Sequence, residues 1–535
     1  MNLLNNWKWM PVLRLTSQAN EPETIEPWQI TEYIDTNPIV DILAPRADFK
    51  GAMYQFLIGL LQTTFAPEDE DEWREYWHNP PGGETLKAAF VHVLPAFELD
   101  VFMQDFNLQE GEPKDIAALL IEAPGGKTLR ENLDHFVKGG EVQKIAPHWA
   151  AIALFTLQIN APSGGVGHRV GLRGGGPLTT LVLPNESVAP ASLWQKLWLN
   201  VLTREEFAEM KSGNSKLKAP ADIFPWMAKT RTSEAKTGVE TYPEDCHPLQ
   251  MYWAMPRRIR LDLAHSGVGH CDLSGEHHEN LVTGYITKNY GVNYVGAWEH
   301  PLTPYSIDLK TGSLSIKGQP GGVCYRHWLG LVLDADDQGK AKRHSAKVVS
   351  TYFRGDRQRL IIKAKGEADS LPRLWAFGYD MDNMKARCWY EATLPIFPVD
   401  KARRGDIQAA VQTLLDAASE ALGTLRIAVK QAWFSRPKDA KGDVSFLDQD
   451  FWQNTESAFY QQLQEITQES PENDANQLTR REHWRASLRR QALAIFDYWA
   501  LSGDNEDGDL KRLVQARTGL EYWLNNGKQM KKLAA

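Results

Sequence analysis

From residue 405 onward the chain repeats one pattern of apolar and polar positions. Ile407, Val411, Leu414, Leu415, Ala418, Leu422, Leu425, Val429 and Trp433 recur at steps of three and four, which places them on one stripe of a helix. Phe451, Trp452, Phe459, Leu463 and Ile466 repeat that spacing, and stretches 478–501 and 510–524 do so again. Ser435-Arg436-Pro437, Ser470-Pro471-Glu472-Asn473 and Ser502-Gly503-Asp504 separate the stretches with turn chemistry. Four amphipathic helices with polar connections can bury their stripes only against each other. The pattern therefore predicts an all-α C-terminal four-helix bundle over residues 405–535.

Residues 1–398 carry no single period, and the composition changes near 395–404. Stretches 50–64 and 148–158 read as helices, while 178–183, 347–353 and 359–364 read as strands. Gly/Pro-rich connectors fall at 80–83, 124–126, 163–176 and 318–322. The expected fold class is α+β: a large irregular mixed N-terminal domain over 1–398, then the helical bundle.

Composition narrows the function only a little. The 535 residues are 42% hydrophobic and 24% charged, an ordinary globular mix that excludes wholesale disorder. With 59 Lys+Arg against 68 Asp+Glu the net charge is −9, which does not announce a nucleic-acid binder. Cys246, Cys271, Cys324 and Cys388 form no CxxC, and residues 1–7 lack a basic, apolar leader, so a reducing cytoplasm is expected. The longest uncharged run, between Lys144 and Arg169, is broken by Pro147, Gln158, Asn160, Pro162 and three glycines. It reads as a core helix rather than a span, which needs about 20 mostly apolar residues. No membrane association is expected.

Catalytic motifs are scarce. Pro124-Gly125-Gly126-Lys127-Thr128 ends like a phosphate-binding loop, but Ile121 stands where such a loop needs glycine. His265, His270, Cys271, His277 and His278 crowd together, yet one cysteine without a CxxC is a weak zinc signal. HExxH, GxSxG, kinase and dinucleotide-binding signatures are missing, which favours a binding protein over an enzyme.

The most unusual segment is 163–177. It has seven glycines in positions 163–176, with His168, Arg169 and Arg173 beside them. A bare backbone can approach a ligand closely, and N–H groups with arginines suit phosphates or the edge of a groove. A flexible hairpin between helix 148–158 and strand 178–183 is the plainer reading. Two basic runs stand out as well. One is Lys340, Lys342, Arg343, Lys347, Arg354, Arg357 and Arg359; the other is Arg480, Arg481, Arg485, Arg489 and Arg490. With an acidic stretch at 67–75, they suggest segregated positive charge, which backbone-phosphate binding needs.

An ordered set of short motifs resembles the large subunit of the type I-E CRISPR surveillance complex, Cascade (the CasA family). They are Asn2-Leu3-Leu4 with Pro11-Val12, Phe102-Met103-Gln104, Ala151-Ile152-Ala153-Leu154-Phe155, Gly171-Leu172-Arg173-Gly174-Gly175, and Gly378-Tyr379-Asp380-Met381-Asp382-Asn383-Met384-Lys385. The resemblance implies a non-enzymatic subunit that holds the 5′ handle of a guide RNA. It would read a protospacer-adjacent motif (PAM) in double-stranded DNA from the minor groove and wedge the duplex open to start an R-loop. It would also help recruit a helicase-nuclease and contact the other Cascade subunits. By matching along the family, Ser163, Gly164, Gly165, Val166 and Gly167 fall on its glycine loop, with Val166 where a relative has glycine. Lys288 or Asn289 falls on its finger, and Asp382, Asn383 and Met384 fall on its wedge. Phe136, Lys138 and Lys144 fall on its guide-handle loop, and Phe136 is also a candidate at the motif. Arg481, Arg485 and Arg489 are expected to meet the displaced strand or a neighbouring subunit. No cofactor is expected. Zinc is disfavoured because Ala146 and Trp149 stand where some members carry cysteines. The competing reading is a soluble enzyme that holds a phosphorylated ligand through 163–176, and a third is a scaffold whose bundle docks another protein.

Overall fold

A computed structural model of the chain describes residues 1–16, 22–123, 131, 139–186, 189–210, 212–265, 267–308, 312–318, 321–336, 341–354, 357–365, 371–382, 385–439, 442–468, 474–501 and 509–534. The chain divides into two compact units. The first comprises Met1–Pro320 and Asp336–Thr393, the second Gly321–Ala335 and Leu394–Ala535.

Two apolar helices centre the first unit. Helix α1 (Ala47–Thr64) is buried along almost its whole length, as expected of a helix without a polar face. Helix α2 (Pro147–Asn160) is buried likewise, with Pro147 in its first turn where no intrahelical donor is lost. Phe56 of α1 is the hub between them. Its ring meets Trp9, Phe97, Phe102, Phe155 and Trp253 edge-on, with centroids 5.8–6.5 Å apart.

Small sheets surround these helices instead of one large sheet. Met10–Arg14 lies between Glu23–Ile25 and Ile39–Ile42. Gly284–Lys288 lies between Glu112–Asp115 and Arg258–Leu261. Arg373–Asp382 lies between Thr179–Leu183 and Lys385–Pro395. Gly267–His270 pairs with His277–Leu281.

Expected helices 50–64 and 148–158 and strand 178–183 are present. Stretches 347–353 and 359–364 are not strands but helices, Lys347–Arg354 and Arg357–Lys365. Their β-branched residues suggested strand, yet Val348, Val349, Thr351 and Tyr352 are buried together at helical spacing, and burial of that face outweighs propensity.

The charge runs also resolve differently from expectation. Residues 70–78 form a helix capped by Asp69, whose side chain accepts from the amides of Asp71 and Glu72. Glu70 and Glu206 hold the fully buried guanidinium of Arg357 at 3.0 and 2.7 Å, and that group lies 4.3 Å over the ring of Trp73. Glu209 engages Lys347 at 2.6 Å and Arg354 at 3.1 Å. The acidic and basic stretches therefore meet, and much of the 340–359 run is neutralised rather than presented as a free cationic face.

The second unit holds four packed helices: α3 (Arg404–Trp433), α4 (Ser445–Gln468), α5 (Asp474–Phe496) and α6 (Leu510–Asn526). The apolar stripe of α3 is the buried one, from Ile407 to Val429. Short helix Lys528–Lys532 and inserted segment Gly321–Ala335 join them, so the unit is more than a plain four-helix bundle. The insertion is held by Tyr325, whose hydroxyl bonds Thr455 Oγ1 at 2.7 Å and whose ring stacks on Phe459 at 4.4 Å. No chain-order reading would assign that segment to the helical unit.

Replacing Arg357 by alanine would leave the Glu206 carboxylate buried without its cation, at a cost on the order of 3–5 kcal/mol. Denaturant unfolding followed by tryptophan fluorescence should show the loss, and Glu206→Gln in the same chain should recover part of it. An unchanged midpoint would contradict the pairing.

Candidate nucleic-acid interface

The glycine-rich segment starts from an anchored arginine. Arg173 donates to Gln55 Oε1 of α1 (2.9 Å), to Ile159 O of α2 (3.3 Å), to Thr179 Oγ1 (3.0 Å) and to Thr303 Oγ1 (3.1 Å). Every one of these acceptors is neutral. Burial lowers the Arg173 pKa to about 10, and it remains a cation at neutral pH. Burial, reinforced by that cation, pushes His300 well below the ordinary imidazole range. His300 Nδ1 accepts from the Leu302 amide at 3.1 Å, which fits the neutral ring.

From this anchor the segment reaches two expected elements at once. At its near end, Gly165 (φ +99°) and Gly167 (φ +76°) make a turn in which the His168 amide donates to Gly165 O at 3.2 Å. Gly167 O then accepts from the Tyr290 amide at 2.8 Å. A Cβ on Gly167 would lie 2.9 Å from the Cβ of Asn289, so only glycine permits this approach. At its far end, a side chain on Gly176 would collide with Met381, in the strand that ends at Asp382. The glycine loop thus touches the finger position directly and the wedge strand nearby.

Each expected residue can now be placed. Gly164, Gly165 and Val166 are exposed at the turn, Ser163 and Gly167 half-buried. Lys288 is exposed at the end of its strand, opposite Arg258, and Asn289 is half-buried beyond it. Tyr290 has φ +61°, a left-handed bend that turns the chain back after the finger. Asp382 ends the central strand of its sheet, while Asn383 and Met384 lie outside the described residues. Phe136 and Lys138 lie outside them too, as does segment 124–128. Lys144 sits in a short segment docked on the histidine hairpin: its amide donates to Asp272 Oδ2 at 2.9 Å, and Ala146 N donates to Cys271 Sγ at 3.3 Å. Among the described residues no group of three or more His, Cys, Asp or Glu side chains is placed to hold a metal.

The arginines bear on two expectations. Arg169 is spent on Ser233, donating to its Oγ at 2.8 Å and its carbonyl at 3.1 Å, while Ser233 Oγ donates to Gly291 O at 2.7 Å. Arg173 is buried. Neither is left to cradle a phosphate; both position the loops. On α5, Arg485 donates to Asn525 O of α6 at 2.9 Å and Arg489 lies 3.6 Å from Glu521, so both brace the helical unit. Arg481 lines a cavity of about 360 Å³ with Arg403 and Arg480.

Two positioning residues gave no sequence signal. Arg257 donates to Pro162 O, one residue before the glycine loop, and its amide donates to Gln158 Oε1 at 2.9 Å. Burial lowers the Arg257 pKa to about 10, and burial, aided by that same cation, holds half-buried His168 below its usual value. Arg258 pairs with fully buried Asp105 at 2.6 Å. Their partners lie far off in sequence, which is why spacing could not reveal them. No helix among the described residues is long and apolar enough to cross a membrane.

Comparison with known proteins sets the class: the chain matches a family of CRISPR-associated proteins. The chain belongs to the CRISPR-associated protein Cse1 family, whose profile matches residues 2–495. It is similar to Thermobifida fusca Cse1, with a TM-score of 0.66 and 16% identity over 100% of this chain and 99% of that one. Thermus thermophilus CasA gives 0.65 and 16% over 98% and 99%. A chain of a CRISPR RNA-guided surveillance complex gives 0.65 and 15% over 98% and 99%. At such identities the likeness is one of fold, and it spans both units.

Two outcomes follow from this geometry. Gly167→Ala combines a positive φ with a 2.9 Å contact, a strain on the order of 1–2 kcal/mol. The Tyr290 amide should then exchange faster with deuterium, whereas Gly165→Ala, which carries the strain of φ +99° but meets open space, should leave Tyr290 better protected; equal exchange in both would refute the contact. For His300, the folded pKa lies below the unfolded value of about 6.5, so the unfolded chain binds the proton more readily. Its contribution is complete above about pH 6.5 and is lost as pH falls. Melting temperature should drop from pH 7.5 to 5.5 in about that window, and His300→Asn should flatten the drop. An equally steep drop in the variant would remove His300 from the account.

Proposed function

We propose that this chain is the non-catalytic large subunit of a type I-E Cascade. In that role it binds the guide-RNA handle, recognises the protospacer-adjacent motif from the minor groove, wedges the duplex open and helps recruit the helicase-nuclease. The observation that carries the reading is the seating of Gly167 on Asn289 and Tyr290, together with membership of the Cse1 family. A thin backbone turn and a short polar side chain project from one place, and the minor groove, about 6 Å wide, admits little more. Its acceptors, adenine N3 and thymine O2, suit the donors of Lys288 and Asn289. Such a code separates mainly A·T from G·C, so specificity is delegated to guide pairing. The reading needs neither a catalytic group nor a cofactor.

The competing enzyme reading is weakened, because Arg169 and Arg173 are committed to internal partners.

The test is a randomised-motif binding screen of the reconstituted complex. Lys288→Ala and Asn289→Ala should each assemble normally and shift the motif profile in different ways, at a cost of about 1–3 kcal/mol for the preferred motif. Profiles identical to that of the unsubstituted complex would sink the reading.

A further inference from the structure

One exposed aromatic residue, on a loop whose ends reach the finger strand and its neighbour, is unexplained by packing. Phe106 is 64% exposed, although phenylalanines elsewhere in the first unit mostly fill the core. Its loop is not loose. Asp105 is fully buried: its amide donates to Ile259 O at 2.9 Å and its carboxylate pairs with Arg258 at 2.6 Å. Leu108 is buried too, its amide donating to Asp105 O at 3.0 Å and its carbonyl accepting from Arg260 at 3.3 Å. Phe106 is therefore held out to solvent by fixed neighbours on both sides.

The two ends of this loop flank the finger strand. Strand register sets Arg258, the partner of Asp105, opposite Lys288. On the strand's other edge Glu112 pairs with Thr287, and Gly111 lies so close that a Cβ would stand 2.6 Å from Thr287 O. Residues 105–111 thus run from one edge of Gly284–Lys288 to the other, at the end where Lys288 projects. Val166, 78% exposed, stands on the glycine turn whose Gly167 meets Asn289. Two apolar residues from different loops accompany one polar finger. The nearby carboxylates are mostly answered: Asp105 by Arg258, and Glu112 by Lys114 at 2.5 Å, while Glu110 is exposed.

We propose that Phe106 is a DNA contact, an aromatic side chain that packs on the deoxyribose and base of the nucleotide next to the one read by the finger. The inference rests on the minor-groove reading above and adds to it the apolar component of recognition. Polar donors can choose between base pairs but do not hold a step open. An apolar wedge seated at that step favours the unstacked form, which strand opening requires. With its neighbours fixed, only the two side-chain torsions of Phe106 need be ordered on binding, a small entropy cost that suits a brief sampling contact.

The test uses the whole reconstituted RNA-guided complex and a target duplex carrying 2-aminopurine beside the motif. Phe106→Ala should leave assembly unchanged, weaken target binding roughly tenfold and reduce the fluorescence rise on opening, as loss of one aromatic–base contact does. Phe106→Trp should retain both. If Phe106→Ala binds like the parent while Asn289→Ala is weakened, the inference fails and the minor-groove reading stands. If neither substitution matters, the reading itself fails. Should Phe106→Ala not assemble, p-benzoylphenylalanine at position 106 serves instead: crosslinking to the motif strand supports the contact, and crosslinking only to protein overturns it.

Discussion

The candidate interface depends on a buried cation without a counter-ion among the described residues. Arg173 carries its charge where water cannot reach it, and only neutral oxygens receive its protons. Such a group is tolerated because all its acceptors are fixed; losing one would leave a costly unsatisfied donor. Those acceptors come from α1, α2, the strand after the glycine segment and the 303 turn. One side chain therefore fastens the glycine-rich stretch to buried helices α1 and α2. The glycines on either side can then fold into turns without wandering, and close approach to Asn289 and Met381 becomes reproducible.

Charge is handled in the same economical way. A net charge of −9 first looked unfriendly to nucleic acid. Many conspicuous cations turn out to be structural: Arg357 in the core, Arg169 on Ser233, Arg485 on α6. Those groups are not free to attract phosphate and the chain is net acidic, so duplex binding by this chain alone should be weak and strongly reduced by salt. That fits the proposed role, in which the chain samples a short motif and leaves sequence reading to base pairing.

Exposure tells a complementary story. Groups that project from the interface, Val166, Lys288 and Phe106, are exposed, while the groups that aim them, Arg257, Arg258 and Arg173, are buried. Precision in the projecting groups comes from hydrogen-bonded supports behind them, a division seen wherever binding residues sit on loops over a rigid scaffold.

By itself the sequence determined the helices whose apolar period is unbroken, α1 through α6, because burial along a stripe or a whole helix is a local property of spacing. It also determined the order of short motifs by which the family is recognised, and the glycine positions at 165 and 167, since positive φ favours glycine. Tertiary structure alone decided the rest. It turned 347–353 and 359–364 into helices, brought Tyr325 into the helical unit, and spent the conspicuous arginines on acids and carbonyls up to 287 residues away. It alone brought the loop that carries Phe106 to the strand that ends at Lys288, its ends fixed by register and a buried ion pair. Spacing carries information about which face a residue occupies; which distant group it will meet depends on how the faces pack, and that is settled only by the folded whole.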